Sequence, residues 1–242
     1  MTDPGVRSVL GIGAVVGSAV VASNLLPSVG CITPLRRRFL PRLAGVSRHH
    51  HIALTFDDGP DRRTTPLFLD LLAEHGVSAT FFLLASHVQR EPQLVGEMAA
   101  AGHDLAVHGW EHDCLALRTP GGLVKDLVRS REVIEDVSGA KVAWYRPPYG
   151  VMTAEGLYAA RKAGLQTVLW SSWGVDWSRH ATPATIVATV SRSVLPGGTV
   201  LLHDTDRTSA PGSWRRTLEA TDLLLARWLG ADVLVGPLRE HW

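Results

Sequence analysis

Short apolar runs recur along this chain, and most of them end on a residue that carries chemistry. Ile52 to Phe56 runs into Asp57, Asp104 to Val107 into His108, Val142 to Tyr145 into Arg146, and Thr199 to Leu202 into His203. Leu165 to Trp170 leads toward Asp176, and Ser78 to Leu84 is a further apolar run. Runs this short, bounded by turn residues, read as buried strands. Helical stripes lie between them: Leu67, Phe68, Leu71, Leu72; then Leu123, Val124, Leu127, Val128, Ile134; and finally Trp214, Thr217, Leu218, Thr221, Leu224, Leu225, Trp228. Strand and helix in alternation require parallel strands joined by right-handed crossovers. The pattern predicts an α/β fold of about six or seven strands, with the candidate residues at the carboxyl ends, the catalytic face of β/α barrels.

The residue types at those ends suit metal-assisted hydrolysis. Thr55-Phe56-Asp57-Asp58-Gly59-Pro60 offers two adjacent carboxylates, and His108 and His112 offer imidazoles four residues apart. One carboxylate and two imidazoles can hold a divalent ion and leave a coordination position open for water. The second carboxylate is then free to move a proton. Each piece has a plainer reading. Asp, Gly and Pro together make turns, and histidines four apart share a face only on a helix, whereas Asp104 to His108 reads as a strand entering a loop.

Three further segments complete the set: Tyr145-Arg146-Pro147-Pro148-Tyr149-Gly150, Val175-Asp176-Trp177 and Leu201-Leu202-His203-Asp204. In order and spacing, from about His51 to Leu202, these segments resemble the five motifs of the polysaccharide deacetylases, carbohydrate esterase family 4, also called the NodB homology domain. The resemblance implies a distorted, incomplete (β/α) barrel. It also implies metal-dependent removal of acetyl groups, N-acetyl before O-acetyl, from an amino-sugar polysaccharide or oligosaccharide. One divalent ion is implied, zinc first, with cobalt or nickel suited to the same donors. Carried over by residue, Asp58, His108 and His112 become metal ligands and Asp57 the general base. Arg146 would orient Asp57, and Asp176 would raise the pKa of His203 so that it serves as the acid. Tyr149 would border the site with a backbone N–H for the oxyanion, and Trp177 and Leu201 would hold the acetyl methyl.

Two positions depart from the family pattern. Gly109 stands where many members carry Ser or Thr, and Trp173 where an acidic residue is usual. They bear on the surroundings of the metal and on sugar contacts, not on a proposed ligand. His108-Gly109-Trp110-Glu111-His112 also matches the H-x-x-E-H signature of inverted zinc peptidases, which requires a helix. A third reading is a non-catalytic carbohydrate-binding protein on a deacetylase scaffold, with Trp110, Trp173 and Trp177 as sugar platforms.

A net charge of +1 gives no field that would draw nucleic acid, and no zinc-finger or phosphate-binding motif is present. Cys31 and Cys114 are too few for a disulfide framework. Residues 1–31 differ from the remainder. Val9 to Leu26 carries no charge, with Arg7 before it, and reads as a membrane-targeting segment, either signal or anchor. Residues 32–50 read as a basic linker and 51–242 as the catalytic domain, expected on the extracytoplasmic side where a cell-wall polymer would be met. Arg36, Arg37, Arg38 and Arg42 favour the opposite, cytoplasmic-facing orientation.

Overall fold

The computed structural model describes residues 33–115 and 122–242. The segment 1–31 read as membrane-targeting lies outside the described residues, and among those no helix is long and apolar enough to cross a membrane.

The chain order is α1 (Thr33–Phe39), β1 (His51–Asp57), α2 (Thr65–Glu74), β2 (Thr80–Leu84), α3 (Ala85–Arg90), α4 (Pro92–Ala100), β3 (Asp104–Gly109), α5 (Leu123–Ser138), β4 (Trp144–Tyr145), α6 (Ala154–Lys162), β5 (Gln166–Thr167), β6 (Ser172–Trp173), α7 (Pro183–Ser193), β7 (Thr199–His203), α8 (Ser213–Leu229) and β8 (Leu234–Gly236). All paired strands are parallel, in the order β5-β4-β3-β2-β1-β7-β6, and β8 joins the start of β1. Every residue of β1 and β2 is buried. Covering on both faces explains why these strands read as continuous apolar runs rather than alternating ones.

This is a distorted, incomplete (β/α) barrel, and its irregularity sits at one seam. The edge strands β5 and β6 are consecutive in the chain, so the residues from Val168 to Ser171 cross the gap between them. Val168 N still bonds Tyr145 O at 2.9 Å on one side, and Ser171 N bonds Thr199 O at 3.0 Å on the other. The carbonyls in between find no strand partner. Arg146 donates to Val168 O at 3.3 Å and Leu169 O at 2.9 Å, while Arg36 donates to Trp170 O at 2.6 Å. Two guanidinium groups thus satisfy backbone that would otherwise be buried unpaired.

The segment expected as a basic linker is therefore packed against the barrel. Arg36 is buried, Leu169 N bonds Leu43 O at 2.8 Å, and Ser47 N bonds Gly197 O at 2.7 Å. His51, the first residue expected of the catalytic domain, is buried at the first position of β1.

The helices bury the expected faces with local differences. In α5 the buried positions are Leu123, Leu127, Ser130 and Ile134, one side of a helix closed by Gly139 in the left-handed conformation. In α8 Thr217, Thr221, Leu224, Leu225 and Trp228 are buried, each large apolar side chain contributing about 1.5–3 kcal/mol. Trp214 and Leu218, expected on that face, are only partly covered. Leu67 faces solvent because the buried side of α2 runs through Thr65, Phe68 and Leu72. The short β4 and β5 replace longer expected strands, since the chain leaves the ladder as it approaches the seam.

Candidate active site

The carboxyl ends of β1, β3 and β7 and the loops after β4 and β6 converge on a cavity of about 240 Å³. Asp57, Asp58, His108, His112, Tyr149, Trp177, Leu201 and His203 all line it. The side chains of Arg146 and Asp176 lie behind it and reach it through Asp57 and His203. Backbone strain gathers here. Asp58 (φ 78°), Tyr149 (φ 59°) and Val175 (φ 54°) take positive φ without being glycine, each at a cost of about 1–3 kcal/mol that the surrounding structure offsets.

The two adjacent aspartates have different surroundings. Asp57 accepts from Arg146 Nη1 at 2.7 Å through Oδ1. The same nitrogen bonds Thr55 Oγ1 at 2.9 Å, and the guanidinium lies over the Phe82 ring at 3.9 Å. Asp58 turns its Oδ1 toward two imidazoles, 3.2 Å from His108 Nε2 and 3.4 Å from His112 Nε2. His108 Nδ1 lies 2.8 Å from Arg146 O, a carbonyl that can only accept, so Nδ1 carries the proton and the Nε2 lone pair faces the cavity. The donor atoms of Asp58, His108 and His112 lie within 4.8 Å of one another. Despite this company Asp58 Oδ1 is a buried acceptor without a hydrogen-bond partner. A buried carboxylate oxygen left unpaired beside two imidazole nitrogens is costly without a cation, and this donor set suits one.

Burial would raise the Asp58 carboxyl, but the surrounding imidazoles of His108, His203 and His112 hold it well below the usual carboxylate range. The opposite balance holds at His203. Burial lowers it, but Asp176, whose Oδ1 lies 3.1 Å from Nδ1, raises it to about 10 together with the more distant Asp58 and Asp57. Asp176 is itself fixed, accepting from His203 N at 2.8 Å and from Thr217 Oγ1 at 3.1 Å. With Nδ1 turned to Asp176, His203 Nε2 points into the cavity, 3.8 Å from Asp58 Oδ2.

Tyr149 packs edge-on against His112 at 4.4 Å between ring centres. Gly150 beside it (φ +65°) meets the Trp170 indole so closely that a Cβ would fall 2.4 Å from a ring carbon. Only glycine permits that approach. Trp173 lies between Trp170, on which it stacks at 5.8 Å between ring centres, and Trp177, tilted against it at 5.1 Å. Trp110 is instead covered by Arg129, whose guanidinium lies 3.5 Å from its ring centre, and it does not line the cavity. At Gly109 (φ +130°) a Cβ would lie 3.0 Å from Glu111 O, so the turn after β3 has little room for a side chain there. The H-x-x-E-H segment leaves a strand, not a helix, and Glu111 is exposed. The inverted-peptidase geometry is absent.

Thr208 and Ser209 also line the cavity, from the loop between β7 and α8. Neither carries a signal in the sequence, because a polar loop residue has no periodicity or motif to mark it.

Comparison with known proteins gives one direction. A family model described as polysaccharide deacetylase matches residues 44–168. The chain is 38% identical over 177 residues to a chitooligosaccharide deacetylase from Bradyrhizobium sp. (strain ANU 289), covering 73% of this chain and 79% of that one. It is 32% identical over 171 residues to the peptidoglycan-N-acetylglucosamine deacetylase PgdA of Listeria monocytogenes serotype 1/2a (strain 10403S), covering 71% of this chain but 36% of that protein. Among solved structures, the Bc1960 peptidoglycan N-acetylglucosamine deacetylase superposes with a TM-score of 0.75 at 29% identity, over 82% of this chain and 90% of that one. BA3943 from Bacillus anthracis, described as a pseudoenzyme, superposes with a TM-score of 0.71 at 25% identity, over 80% of this chain and 66% of that one.

Proposed function

Since the chain belongs to the polysaccharide deacetylase family, we propose that it is a metal-dependent hydrolase that removes acetyl groups, N-acetyl first, from an amino-sugar polysaccharide or oligosaccharide. The observation that carries this is Asp58 Oδ1, buried and unpaired between His108 Nε2 and His112 Nε2. A similar fold serves a protein described as a pseudoenzyme, so the fold alone decides nothing about activity. The intact set of ligands, base and acid favours an enzyme.

Asp58, His108 and His112 would hold the ion, zinc first, with cobalt or nickel suited to the same donors. When bound, such a cation polarises the acetyl carbonyl and makes water more acidic. Asp57 supplies the base. Its Oδ1 is held by Arg146, which leaves Oδ2 to take a proton from the attacking water. As water adds to the carbonyl carbon, negative charge grows on the carbonyl oxygen, where the backbone N–H of Tyr149 is the candidate donor. His203, kept protonated by Asp176, delivers its Nε2 proton to the amine nitrogen as the C–N bond breaks. Acetate and a free amine leave. Trp177 and Leu201 would shape the slot for the methyl group.

The reading extends to location. Residues 1–31 would deliver the domain across a membrane, as signal or anchor, to an extracytoplasmic face. The packed positions of Arg36 and Leu43 suggest that the catalytic unit begins before residue 51. Protease applied to intact spheroplasts checks the side: digestion supports export, and protection until lysis opposes it.

The test of activity is acetate release from N-acetylated chito-oligomers, peptidoglycan fragments and O-acetylated xylan, with and without a chelator. Release from the N-acetyl substrates, abolished by chelation and restored by zinc, is expected. Release indifferent to the chelator, or none from any substrate, would overturn the proposal.

A further inference from the structure

The carboxylate of Asp58 uses its two oxygens differently. Oδ1 faces the imidazoles of His108 and His112, while Oδ2 accepts a hydrogen bond from Thr208 Oγ1. Thr208 lies 150 residues further along the chain, on the loop between β7 and α8, away from the segments that supply Asp58, His108 and His112.

That loop is stitched down on several sides. Arg207 Nε pairs with Asp61 Oδ2 at 2.9 Å, tying the loop to the segment after β1. Ala210 N bonds Trp177 O at 3.0 Å, tying it to the loop after β6. Asp206 Oδ2 accepts from Gly212 N at 2.7 Å and closes the turn into α8. The main chain of Asp58 is pinned as well, with its N–H on Phe82 O at 3.2 Å and its positive φ locked between β1 and Gly59. The side chain retains one soft coordinate, rotation of the carboxylate plane about Cβ–Cγ. Thr208 is the described residue that hydrogen-bonds an oxygen of this plane and so fixes it.

We propose that Thr208 is a positioning residue for the metal centre: its hydroxyl engages Asp58 Oδ2 so that the carboxylate offers only Oδ1 to the cation. Without that hydroxyl the carboxylate plane is free to turn about Cβ–Cγ, so that Oδ1 is no longer held toward the cation and Oδ2 would compete for a position that water and the acetyl carbonyl need. The proposal rests on the metal-site reading above and makes a claim of its own about how one ligand is held. Partners of a ligating carboxylate typically change metal affinity by about 10–100-fold when removed.

The experiment measures zinc affinity by chelator competition, without substrate, in the full chain and in Thr208→Val and Thr208→Ser, with the thermal midpoint of each metal-free protein as a control for folding. Cobalt-substituted protein supplies a second readout, because visible absorption weakens as coordination rises from four to five. The expected result for Thr208→Val is zinc binding weaker by about 10–100-fold, with weakened cobalt absorption and an unchanged metal-free midpoint. Thr208→Ser, which restores the hydroxyl, should return both readouts to the native values. Should the valine variant fail to fold, Thr208→Ala takes its place with the same expectation. Native zinc affinity and a native cobalt spectrum in the hydroxyl-free variant would overturn the positioning role while leaving the function intact. Absence of any zinc binding by the native chain would remove both.

Discussion

The two ends of β1 are equally shielded from water, yet titratable groups at them are held in opposite ways. At its start, His51 lies with Nδ1 2.9 Å from Nδ1 of His241, and its other nitrogen has only the half-exposed Glu240 nearby, at 3.6 Å. Burial first, then the charges of His241 and His49, push His51 down to about 4, so it is neutral throughout the physiological range. His103, beneath β2 and β3, is likewise lowered to about 4, by burial and by Arg239. At the finish of β1 burial is as complete, but the groups there are partnered: Asp57 faces the Arg146 guanidinium, Asp58 the imidazole nitrogens of His108 and His112, and His203 the Asp176 carboxylate. Burial alone drives any group toward its neutral form. At the carboxyl end Asp57 and His203 each meet a buried partner of opposite sign, Arg146 and Asp176, whereas at the amino end His51 meets no buried one.

The largest effect that would sharpen this contrast comes from Arg146. Arg146→Ala leaves Asp57 as a buried carboxylate without its cation and strips the seam carbonyls of Val168 and Leu169 of their donor. A loss of about 3–5 kcal/mol in unfolding free energy is expected by denaturant titration, with turnover falling alongside it. Arg146→Lys should recover charge but not the fork that serves Asp57, Thr55 and the seam together. A stable, active alanine variant would break the claim that opposed charge holds this end.

Next comes Asp176→Asn. His203 is raised above the ordinary histidine value, so its acid form persists until the pH climbs toward about 10. Removing the Asp176 charge leaves burial, which acts downward, opposed only by the more distant Asp58 and Asp57. The basic limb of the kcat profile should move to lower pH by about one to three pH units. The linked stability is present in full below the unfolded value of about 6.5 and is lost as pH rises through the folded one; in the variant that loss should come earlier. An unmoved basic limb in a folded, metal-loaded variant would show that another group sets it.

The smallest effect belongs to the quiet end. His51 sits below its unfolded value, so the stability of its neutral form is present above pH of about 6.5 and is lost as pH falls toward 4. His51→Gln should flatten the fall in thermal midpoint across that interval, whatever it does to the midpoint at neutral pH. An equally steep fall in the variant would mean that His51 is not one of the groups that charge on acid unfolding.

How much of this was legible in the sequence follows from which contacts are local. Asp57, His108, Arg146 and His203 each directly follow an apolar run, and a buried parallel strand has one exit, so their meeting at one face could be read from pattern alone. The seam could not. β4 and β5 shrink because the chain crosses a gap satisfied by Arg36 and Arg146, residues far away in sequence from the carbonyls they serve. For the same reason a run of arginines after an apolar segment read as linker, although Arg36 is buried against the Trp170 carbonyl. Thr208 was invisible because its significance lies in one oxygen of Asp58, 150 residues earlier. Trp173 stands out in the sequence as a departure from the family pattern and as an aromatic suited to a sugar platform, and the structure gives it neighbours, Trp170 and Trp177, that neither reading implied.

The central claim is that two adjacent carboxylates at the end of β1 divide the work, one holding the ion and the other moving a proton. Metal content and acetate release, measured together on Asp57→Asn and Asp58→Asn, test it most directly. Both variants should lose turnover, by about 10²–10⁴-fold for the base, but Asp57→Asn should still bind zinc with near-native affinity while Asp58→Asn should lose it. Zinc that disappears with Asp57→Asn, or that remains with activity in Asp58→Asn, would contradict the division.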